Sequence, residues 1–292
     1  MDSGPAQHVS RVHSIYVVDK QEKLLGRLSL KDLLTAKSDQ KIAELANSNV
    51  DYVYVEEDVE EVAKIMQKYE LEAIPVVDQN KTLLGRITID DIVDVIREEA
   101  DKDYQMAAGI SQDVEADDSI LKLTKARLPW LLIGMFGGLG AASIIEGFNG
   151  SMGEFIILLS FVPLIQATAG NVGVQSSAIV VQGLANNSID GNIIKRLFKE
   201  SILGLVNGLA LALVAIAVTH FAFKTPYIIS ITIAIALVAV IIMAALIGTF
   251  IPIFLDKRGI DPAVATGPFI TTSNDVFGIL LYFIIAKSIL GF

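Results

Sequence analysis

Five long apolar runs in the second half of the sequence constrain the fold of this chain more than any other feature. Each run is close to the roughly 20 residues that an α-helix needs to cross the hydrocarbon core of a bilayer. The runs cover residues 128–148, 156–182, 202–223, 227–254 and 263–290. The core of a soluble protein is the alternative explanation, but five such runs in succession favour an all-α membrane domain over residues 127–292.

The ionisable residues divide the chain at the same place. Residues 1–127 hold 26 of the 33 acidic and 16 of the 23 basic side chains, and so carry the whole net charge of −10. We therefore expect an acidic, solvated region before a nearly uncharged membrane domain. The absence of cysteine excludes disulfides, thiolate catalysis and thiolate metal sites.

Basic residues between the apolar runs predict the orientation of the chain. Lys and Arg cluster before the first run, after the second and after the fourth, whereas the other two connections hold only Lys224. Basic loops stay on the cytoplasmic side of a membrane. The pattern predicts a multi-pass protein of the cytoplasmic membrane, with its N-terminus in the cytoplasm and its C-terminus outside.

The last apolar run carries a stripe of polar and small residues. Thr271, Asp275, Gly278 and Tyr282 follow one another at intervals of four, three and four, and Gly267 extends the stripe by one more step. Residues at these intervals lie on one helix face. We expect Gly267, Thr271 and Asp275 of this face to line a polar pathway.

Asp275 is the residue in this stripe that most needs an explanation. A charged Asp at the bilayer centre costs about 2.5–3.5 kcal/mol or more. The basic residue of the same run, Lys287, is twelve positions away, roughly 18 Å along a helix. An intramembrane acid without a salt-bridge partner indicates a functional site that faces water or a cation.

The second apolar run places Thr168, Asn171 and Gln175 on one face. Asn171 and Gln175 either line the same pathway or form hydrogen bonds between helices. Gly170 and Gly173 lie beside them, and small residues at this spacing are also typical of closely packed membrane helices.

The acidic region contains an internal repeat. "IYVVDKQEKLLGRLSLKDLL" at 15–34 aligns without gaps on "IPVVDQNKTLLGRITIDDIV" at 74–93, with nine identities in twenty. Each copy predicts strand, turn, strand and a helix that begins with a capping box, Ser29 to Asp32 and Thr88 to Asp91.

The repeat resembles a pair of CBS domains, an α+β fold that acts as a regulatory sensor. The resemblance assigns the first, partial domain to 1–38 and the second to 39–93, and we expect part of the first domain to be missing. It also implies an adenine nucleotide, with the ribose-contacting Asp of the family at Asp32 and Asp91.

An acidic segment links this pair to the membrane domain. We expect a helix of about 16 residues from Asp91, and a connecting helix and loop over 91–126. A solvated face is the simplest explanation of such a charge run, but its place between a sensor and a membrane domain favours a role in regulation.

The motifs of the whole chain resemble the MgtE family of bacterial magnesium channels. They are the CBS pair, the acidic helix, "ARLPWL", "PLIQATAGNVGVQS" in the second run and "DPAVATGPFITTSNDV" before and within the fifth. The resemblance implies a homodimer with five membrane helices per chain. It also implies a pore on the twofold axis, lined by the second and fifth helices, with the central Mg²⁺-binding Asp at Asp275. An N-terminal domain of the family is expected to be missing here.

The resemblance also implies regulatory Mg²⁺ sites between the second CBS domain and the connecting helix. The matching carboxylates are Asp58, Glu60, Asp91, Asp94, Glu99 and Asp103. Glu70 stands where the family pattern has Asp, and Lys102 stands where it has Glu, which removes one ligand.

These observations predict a transporter that imports Mg²⁺ and is gated by cytosolic Mg²⁺. Another divalent cation, Co²⁺, Mn²⁺ or Ca²⁺, and a Na⁺-coupled Mg²⁺ carrier are the alternatives, because oxygen ligands separate these ions poorly. We do not expect an enzyme, because the sequence has no H-E-x-x-H zinc site and no P-loop. We expect a second copy of the chain, lipid and Mg²⁺ as partners, and no nucleic acid.

Overall fold

The computed structural model describes residues 15–37, 39–186, 188–189, 192–265 and 267–292. The chain divides into two compact units, Met1–Asp101 and Lys102–Phe292. Residues 1–14, which the sequence assigns to the first CBS domain, lie outside the described residues.

The elements of the first unit follow the order of the two sequence repeats. They are β1 (Ile15–Val18), β2 (Leu24–Leu28), α1 (Leu30–Thr35), α2 (Ile42–Leu45), β3 (Val53–Tyr54), α3 (Val59–Lys68), β4 (Ala73–Val77), β5 (Leu83–Thr88) and the first part of α4 (Ile89–Ala107). β1 and β2 pair antiparallel. In a second sheet, β4 is central, parallel to β3 and antiparallel to β5.

The turn inside each repeat has the same construction. Asp19 Oδ1 accepts hydrogen bonds from the N–H groups of Gln21 and Lys23, at 2.7 and 2.9 Å. Fifty-nine residues later, Asp78 Oδ1 accepts the equivalent two bonds, at 2.8 and 2.7 Å. A short acid that bonds the backbone two and four residues on stabilises a tight turn. The predicted repeat is therefore present as two similar hairpins.

The two hairpins join through reciprocal backbone hydrogen bonds. The N–H of Leu24 donates to the carbonyl of Lys81, and the N–H of Leu83 donates to the carbonyl of Glu22, both at 2.9 Å. The two bonds are equivalent, because Leu83 and Lys81 follow Leu24 and Glu22 by the repeat offset of 59 residues. The arrangement confirms a CBS domain pair.

The core of this unit lies between α3, α4 and the second sheet. Val62 and Met66 of α3 are buried together with Ile74 and Ile92. Tyr69 is exposed, because α3 ends at Lys68 and Tyr69 follows it as the C-cap.

The second unit is helical. After the end of α4 its elements are α5 (Ile120–Met152), a 3-10 helix (Gly153–Phe161), α6 (Val162–Ala185), α7 (Ile193–Ala217), a π-helical turn (Val218–Ala222), α8 (Tyr227–Asp256), a 3-10 turn (Pro262–Ala265) and α9 (Pro268–Leu290). Within the described residues, four helical stretches are long and apolar enough to cross a membrane: Ile120–Ala185, Ile193–Ala222, Tyr227–Asp256 and Pro268–Leu290. A multi-pass membrane protein is therefore confirmed.

The first of these stretches differs from the prediction. The sequence places a loop over 147–154, between the first two apolar runs, but α5 continues through this segment to Met152. The α-helix ends only at Gly153, whose φ of +49° suits glycine.

α8 is the centre of the unit, and its side chains pack against α6, α7 and α9. Glycines permit the closest approach. A Cβ on Gly204 would lie 3.2 Å from Cα of Ile242, and one on Gly208 the same distance from Cα of Val238. Small residues four apart let two membrane helices pack backbone to backbone, so α7 is held firmly against α8.

Candidate functional site

A cavity of about 530 Å³ lies between α6 and α9. Its lining comprises Gln166, Ala167, Gly170, Asn171, Val174, Gln175, Thr271 and Asp275. The structure thus brings together four polar residues that the sequence assigned to the pathway on two separate runs.

Two glycines on α6 let α9 come close enough to form this cavity. A Cβ on Gly170 would lie 3.3 Å from Cγ2 of Thr271. A Cβ on Gly173 would lie 2.7 Å from Cγ2 of Ile270 and would also meet the side chain of Asn274. Both glycines therefore serve helix packing, and that packing sets the distance between the two polar faces.

Asp275 reaches the cavity as a half-buried side chain. No described residue gives it a hydrogen bond or an ion pair. Lys287, the basic residue of the same helix, lies over the ring of Phe148, 5.9 Å from its centroid. The carboxyl group is thus directed at the cavity without a counter-charge from the described residues, as expected of an acid that meets a mobile cation.

Two of the predicted pathway residues do not line the cavity. Thr168 directs its hydroxyl to the carbonyl of Leu164, at 2.8 Å on its own helix. Gly267 is the N-cap of α9, with a φ of +57°, and a Cβ there would collide with the carbonyl oxygen of Ala107. Gly267 instead accepts the hydroxyl of Thr271 at 3.0 Å, and so orients a residue that does line the cavity.

The lower half of the predicted stripe on α9 belongs to the core. Tyr282 is fully buried and donates its hydroxyl to the carbonyl of Leu158 at 3.0 Å. Gly278 packs against Val240 and Ala169. The stripe is one helix face, as predicted, and Gly278 and Tyr282 are the part of it that packs into the core.

Sequence reasoning missed two buried polar residues next to the cavity. Asn274 is 0% exposed, and its Nδ2 donates to the carbonyl of Ala169 at 3.3 Å. Its Oδ1 has no hydrogen-bond partner among the residues that the structure describes. Glu200 on α7 is 4% exposed, and its Oε1 accepts the hydroxyl of Ser176 at 2.7 Å. Ser176 directly follows Gln175 of the cavity wall, so Glu200 ties this turn of α6 to α7.

The acids expected at regulatory sites in the CBS pair have local roles. Asp58 is the N-cap of α3 and accepts the N–H of Glu60 at 2.9 Å. Glu70 follows α3 with a φ of +50°. Because a non-glycine residue is uncommon in this conformation, Glu70 marks a sharp change of chain direction.

The acids of α4 lie along a helix that spans Ile89–Ala107, as predicted. Asp91 closes a capping box with Thr88, accepting its hydroxyl at 2.6 Å and its N–H at 3.0 Å. These two bonds, the hydroxyl first, hold the pKa of Asp91 below its ordinary value. Asp94, Glu99 and Asp103 follow on the same helix.

These carboxylates are not gathered into one cluster within the chain. Among the residues that the structure describes, no three Asp, Glu or His side chains lie close enough to hold one ion together. Because Mg²⁺ also binds through one or two carboxylates and several waters, the regulatory sites stay a prediction.

The expected nucleotide contacts are also occupied locally. Asp32 accepts the hydroxyl of Ser29 at 2.6 Å, as Asp91 accepts that of Thr88. A cavity of only about 50 Å³ lies nearby and includes Arg27 and Asp51 in its lining, but neither of the two candidate ribose ligands.

Comparison with known protein families gives two matches. The MgtE family, described as a divalent cation transporter, matches residues 162–285. The CBS domain family matches residues 6–39 and 42–98.

Curated relatives match over nearly the whole chain. The magnesium transporter MgtE of Enterococcus faecalis is 39% identical over 97% of this chain and 62% of its own length. The magnesium transporter MgtE of Bacillus subtilis is 35% identical over 97% of this chain and 63% of its own length. The chain thus spans a little under two thirds of the length of these relatives.

Among solved structures, the cytosolic domain of the Mg²⁺ channel MgtE in complex with ATP is 42% identical to this chain. The match covers 31% of this chain and 36% of the solved chain, with a TM-score of 0.30. A score this low supports no statement about the fold.

Proposed function

Residues 162–285 belong to the MgtE family of divalent cation transporters, and from that premise we propose that this chain carries Mg²⁺ across a membrane between α6 and α9. The observation that carries the proposal is the unpartnered carboxyl of Asp275 in the cavity that these two helices form. Around it lie the carboxamides of Asn171 and Gln175 and the hydroxyl of Thr271.

The chemistry of this wall suits a hydrated hard cation. Mg²⁺ takes oxygen ligands, dehydrates reluctantly and binds through one or two carboxylates while it keeps several waters. Carboxamide and hydroxyl oxygens accept hydrogen bonds from such waters. Asp275 supplies the charge attraction, and the neutral groups hold the hydration shell of the passing ion.

A single Asp275 balances only half the charge of a divalent ion. We therefore propose a homodimer in which a twofold axis brings the cavities of two chains together, so that two Asp275 carboxylates act on one ion. Since α6 and α9 each contribute a polar face to the cavity, both helices would line the shared pathway.

The proposed path requires five crossings. The stretch Ile120–Ala185 has 66 residues, which at 1.5 Å per residue is about 100 Å, over three times the roughly 30 Å of hydrocarbon. The break at Gly153 separates two crossings, α5 and α6. Together with the basic loops, this supports the proposal that the N-terminus lies in the cytoplasm and the C-terminus outside. Inward transport of Mg²⁺ is part of the same proposal.

The CBS pair and α4 are proposed to regulate this transport in response to cytosolic Mg²⁺. The support is the density of acids in this part of the chain, 26 before residue 128, together with its place before the membrane domain. Because the described residues of one chain form no cluster of three acids, each ion would be held by one or two of these carboxylates and by water, or by acids of two copies together. Neutralising Asp91, Asp94 and Glu99 together should leave transport insensitive to cytosolic Mg²⁺, and unchanged inhibition would contradict this part of the proposal.

An adenine nucleotide remains a proposal for the CBS pair. Its support is the match to the CBS family, together with a relative whose cytosolic domain has been solved with ATP. Binding would require the capping bonds of Asp32 and Asp91 to be shared with a ribose.

Rescue of growth in a bacterium that lacks Mg²⁺ uptake tests the transport function. We expect rescue by the wild type at low external Mg²⁺ and none by Asp275→Asn. Asp261→Asn is a matched control, because Asp261 only caps a turn by accepting the N–H of Ala263 at 2.8 Å, which an Asn oxygen also does. Rescue by Asp275→Asn at the wild-type level would remove Asp275 from the pathway. Uptake of Co²⁺, Mn²⁺ or Ca²⁺ in preference to Mg²⁺ would favour another divalent cation.

A further inference from the structure

Outside the cavity, α7, α8 and α9 enclose an apolar groove of about 500 Å³. Its lining includes Leu197, Leu246, Phe250, Phe269, Ser273 and Phe277. Leu197 and Phe269 lie near the starts of α7 and α9, and Phe250 lies near the end of α8. The groove therefore belongs to the part of the unit where α7 begins and α8 ends, close to one membrane surface.

The groove and the cavity use opposite faces of α9. Thr271 and Asp275 line the cavity, whereas Ser273 and Phe277 line the groove. Residues two positions apart on an α-helix point about 200° apart. Two copies that pair through their cavities would therefore leave the groove open to the lipid.

A ladder of aromatic rings leads from the groove to a guanidinium group. Phe250 stacks on Phe254, with ring centroids 5.8 Å apart. The guanidinium carbon of Arg258 lies 4.8 Å from the centroid of Phe254, a distance typical of a cation–π interaction. The positively charged Arg258 therefore lies next to the aromatic end of the groove, four residues after Phe254.

A second arginine lies next to the groove along α7. Arg196 directly precedes Leu197 of the groove. Its Nε is buried, and no described residue hydrogen-bonds it. A buried N–H without an acceptor costs free energy, so this donor is suited to an acceptor that the chain does not itself supply.

The segments around these two residues carry an excess of positive charge. The basic residues are Lys195, Arg196, Lys199, Lys257 and Arg258, and the acids of the same segments are Asp190, Glu200, Asp256 and Asp261. Glu200 is buried against Ser176. The remaining charges give this surface a net attraction for an anion.

We propose that the groove binds one anionic phospholipid. Its acyl chain lies along the rings of Phe250 and Phe277, and its phosphate accepts hydrogen bonds from Arg196 and Arg258. An apolar groove at membrane depth takes lipid tails, and basic residues between helices at the membrane surface select anionic head groups. Arg presents a fork of N–H donors that matches a phosphate.

Lipid titration of the purified full chain in detergent tests this site. Phosphatidylglycerol and phosphatidylcholine with identical acyl chains are added separately, and bound lipid is counted by native mass spectrometry. We expect the wild type to prefer phosphatidylglycerol by about tenfold or more. The double variant Arg196→Gln/Arg258→Gln should lower its affinity by about 25-fold, which is ~2 kcal/mol at 1.4 kcal/mol per tenfold and about 1 kcal/mol per basic residue.

Two further variants separate the groove from general charge effects. Lys224→Gln removes an exposed basic residue between α7 and α8, at the opposite ends of these helices, and should leave the affinity within about twofold. Ser273→Trp fills the groove and should lower the retention of both lipids. Equal binding of the two lipids by the wild type, or an unchanged affinity in the double arginine variant, overturns the proposal. The proposal is also overturned if Ser273→Trp dissociates paired chains without changing lipid retention, because a second copy of the chain, and not a lipid, would then cover the groove.

Discussion

The buried carboxyl of Glu200 supports a prediction that links the packing of the membrane helices to the cavity. Glu200 lies on α7, which is fixed against α8 by Gly204 and Gly208. Its Oε1 accepts the hydroxyl of Ser176 at 2.7 Å, and this bond holds the turn of α6 that presents Gln175 to the cavity. Ser176→Ala and Glu200→Ala remove the bond from either side, and the double variant closes a thermodynamic cycle.

The magnitude follows from the burial of both partners. Hydrogen bonds between membrane helices average about 0.6 kcal/mol and reach about 1.7 kcal/mol, and those to charged groups are worth about 1.5–3 kcal/mol in soluble proteins. At 2.7 Å and with Glu200 4% exposed, the bond belongs near the upper end of the membrane range. We expect a coupling free energy of about 1 kcal/mol, roughly a fivefold change in the unfolding constant.

Unfolding in mixed micelles by titration with dodecyl sulfate measures this coupling. Ser177→Ala provides the control, because the hydroxyl of Ser177 is buried beside Ser176 but has no hydrogen-bond partner among the described residues. The cycle of Ser177→Ala with Glu200→Ala should be additive within about 0.3 kcal/mol. Additive effects in the Ser176 cycle as well would refute the assignment of this bond.

Two further outcomes follow from the described contacts. Gly173→Ala should destabilise the unit by about 1–3 kcal/mol in the same assay, because its Cβ overpacks the side chains of α9, whereas Gly134→Ala, with nothing within 4 Å of the new Cβ, should change it little. Equal effects of the two would contradict the close packing of α6 on α9. Thr88→Val should raise the pKa of Asp91 towards its ordinary value of about 3.9, because the Thr88 hydroxyl is the first cause of the lowered pKa. The stabilisation from this bond is present above the ordinary pKa of Asp91 and is lost as the pH falls through its lowered pKa. NMR titration of the carboxyl groups measures the change, with Asp78 as an unchanged reference. An unchanged pKa of Asp91 in Thr88→Val would contradict the role of the Thr88 hydroxyl.

The parts of the fold that the sequence predicts best are those with a local physical cause. The turns at Asp19 and Asp78 depend on an acid that bonds its own backbone, and the capping box of Thr88 and Asp91 spans four residues. Both can be recognised in a short stretch of sequence. The apolar runs are equally visible, because membrane helices are apolar over their whole length.

The connections and the buried contacts between helices were less predictable. The segment 147–154 contains Gly and Asn and predicts a loop, yet α5 continues through it and ends only at Met152. Glu200 was missed because it follows Lys195, Arg196 and Lys199, so the sequence assigns it to a solvated connection. Its burial becomes visible only in the structure, where α7 packs on α8 and Glu200 accepts the hydroxyl of Ser176 on α6.

The candidate cavity was predictable from the sequence only in part. Asp275 stands out from hydropathy alone, and helical spacing associates it correctly with Thr271. The same spacing also selects Gly278 and Tyr282, which are buried in the core. Periodicity identifies a helix face, but the neighbouring helices decide how much of that face is accessible.

Mg²⁺ flux into liposomes tests the central claim most directly. The full chain is reconstituted with a Mg²⁺-sensitive dye inside the vesicles, and the initial rate is compared for the wild type, Asp275→Asn and Asp261→Asn at equal protein content. Asp275 is the only acid among the described residues that line the cavity. Its loss should lower the rate by about tenfold or more, since the attraction between the pathway and a divalent ion is lost, while Asp261→Asn should match the wild type. A rate for Asp275→Asn equal to that of the wild type would contradict the account.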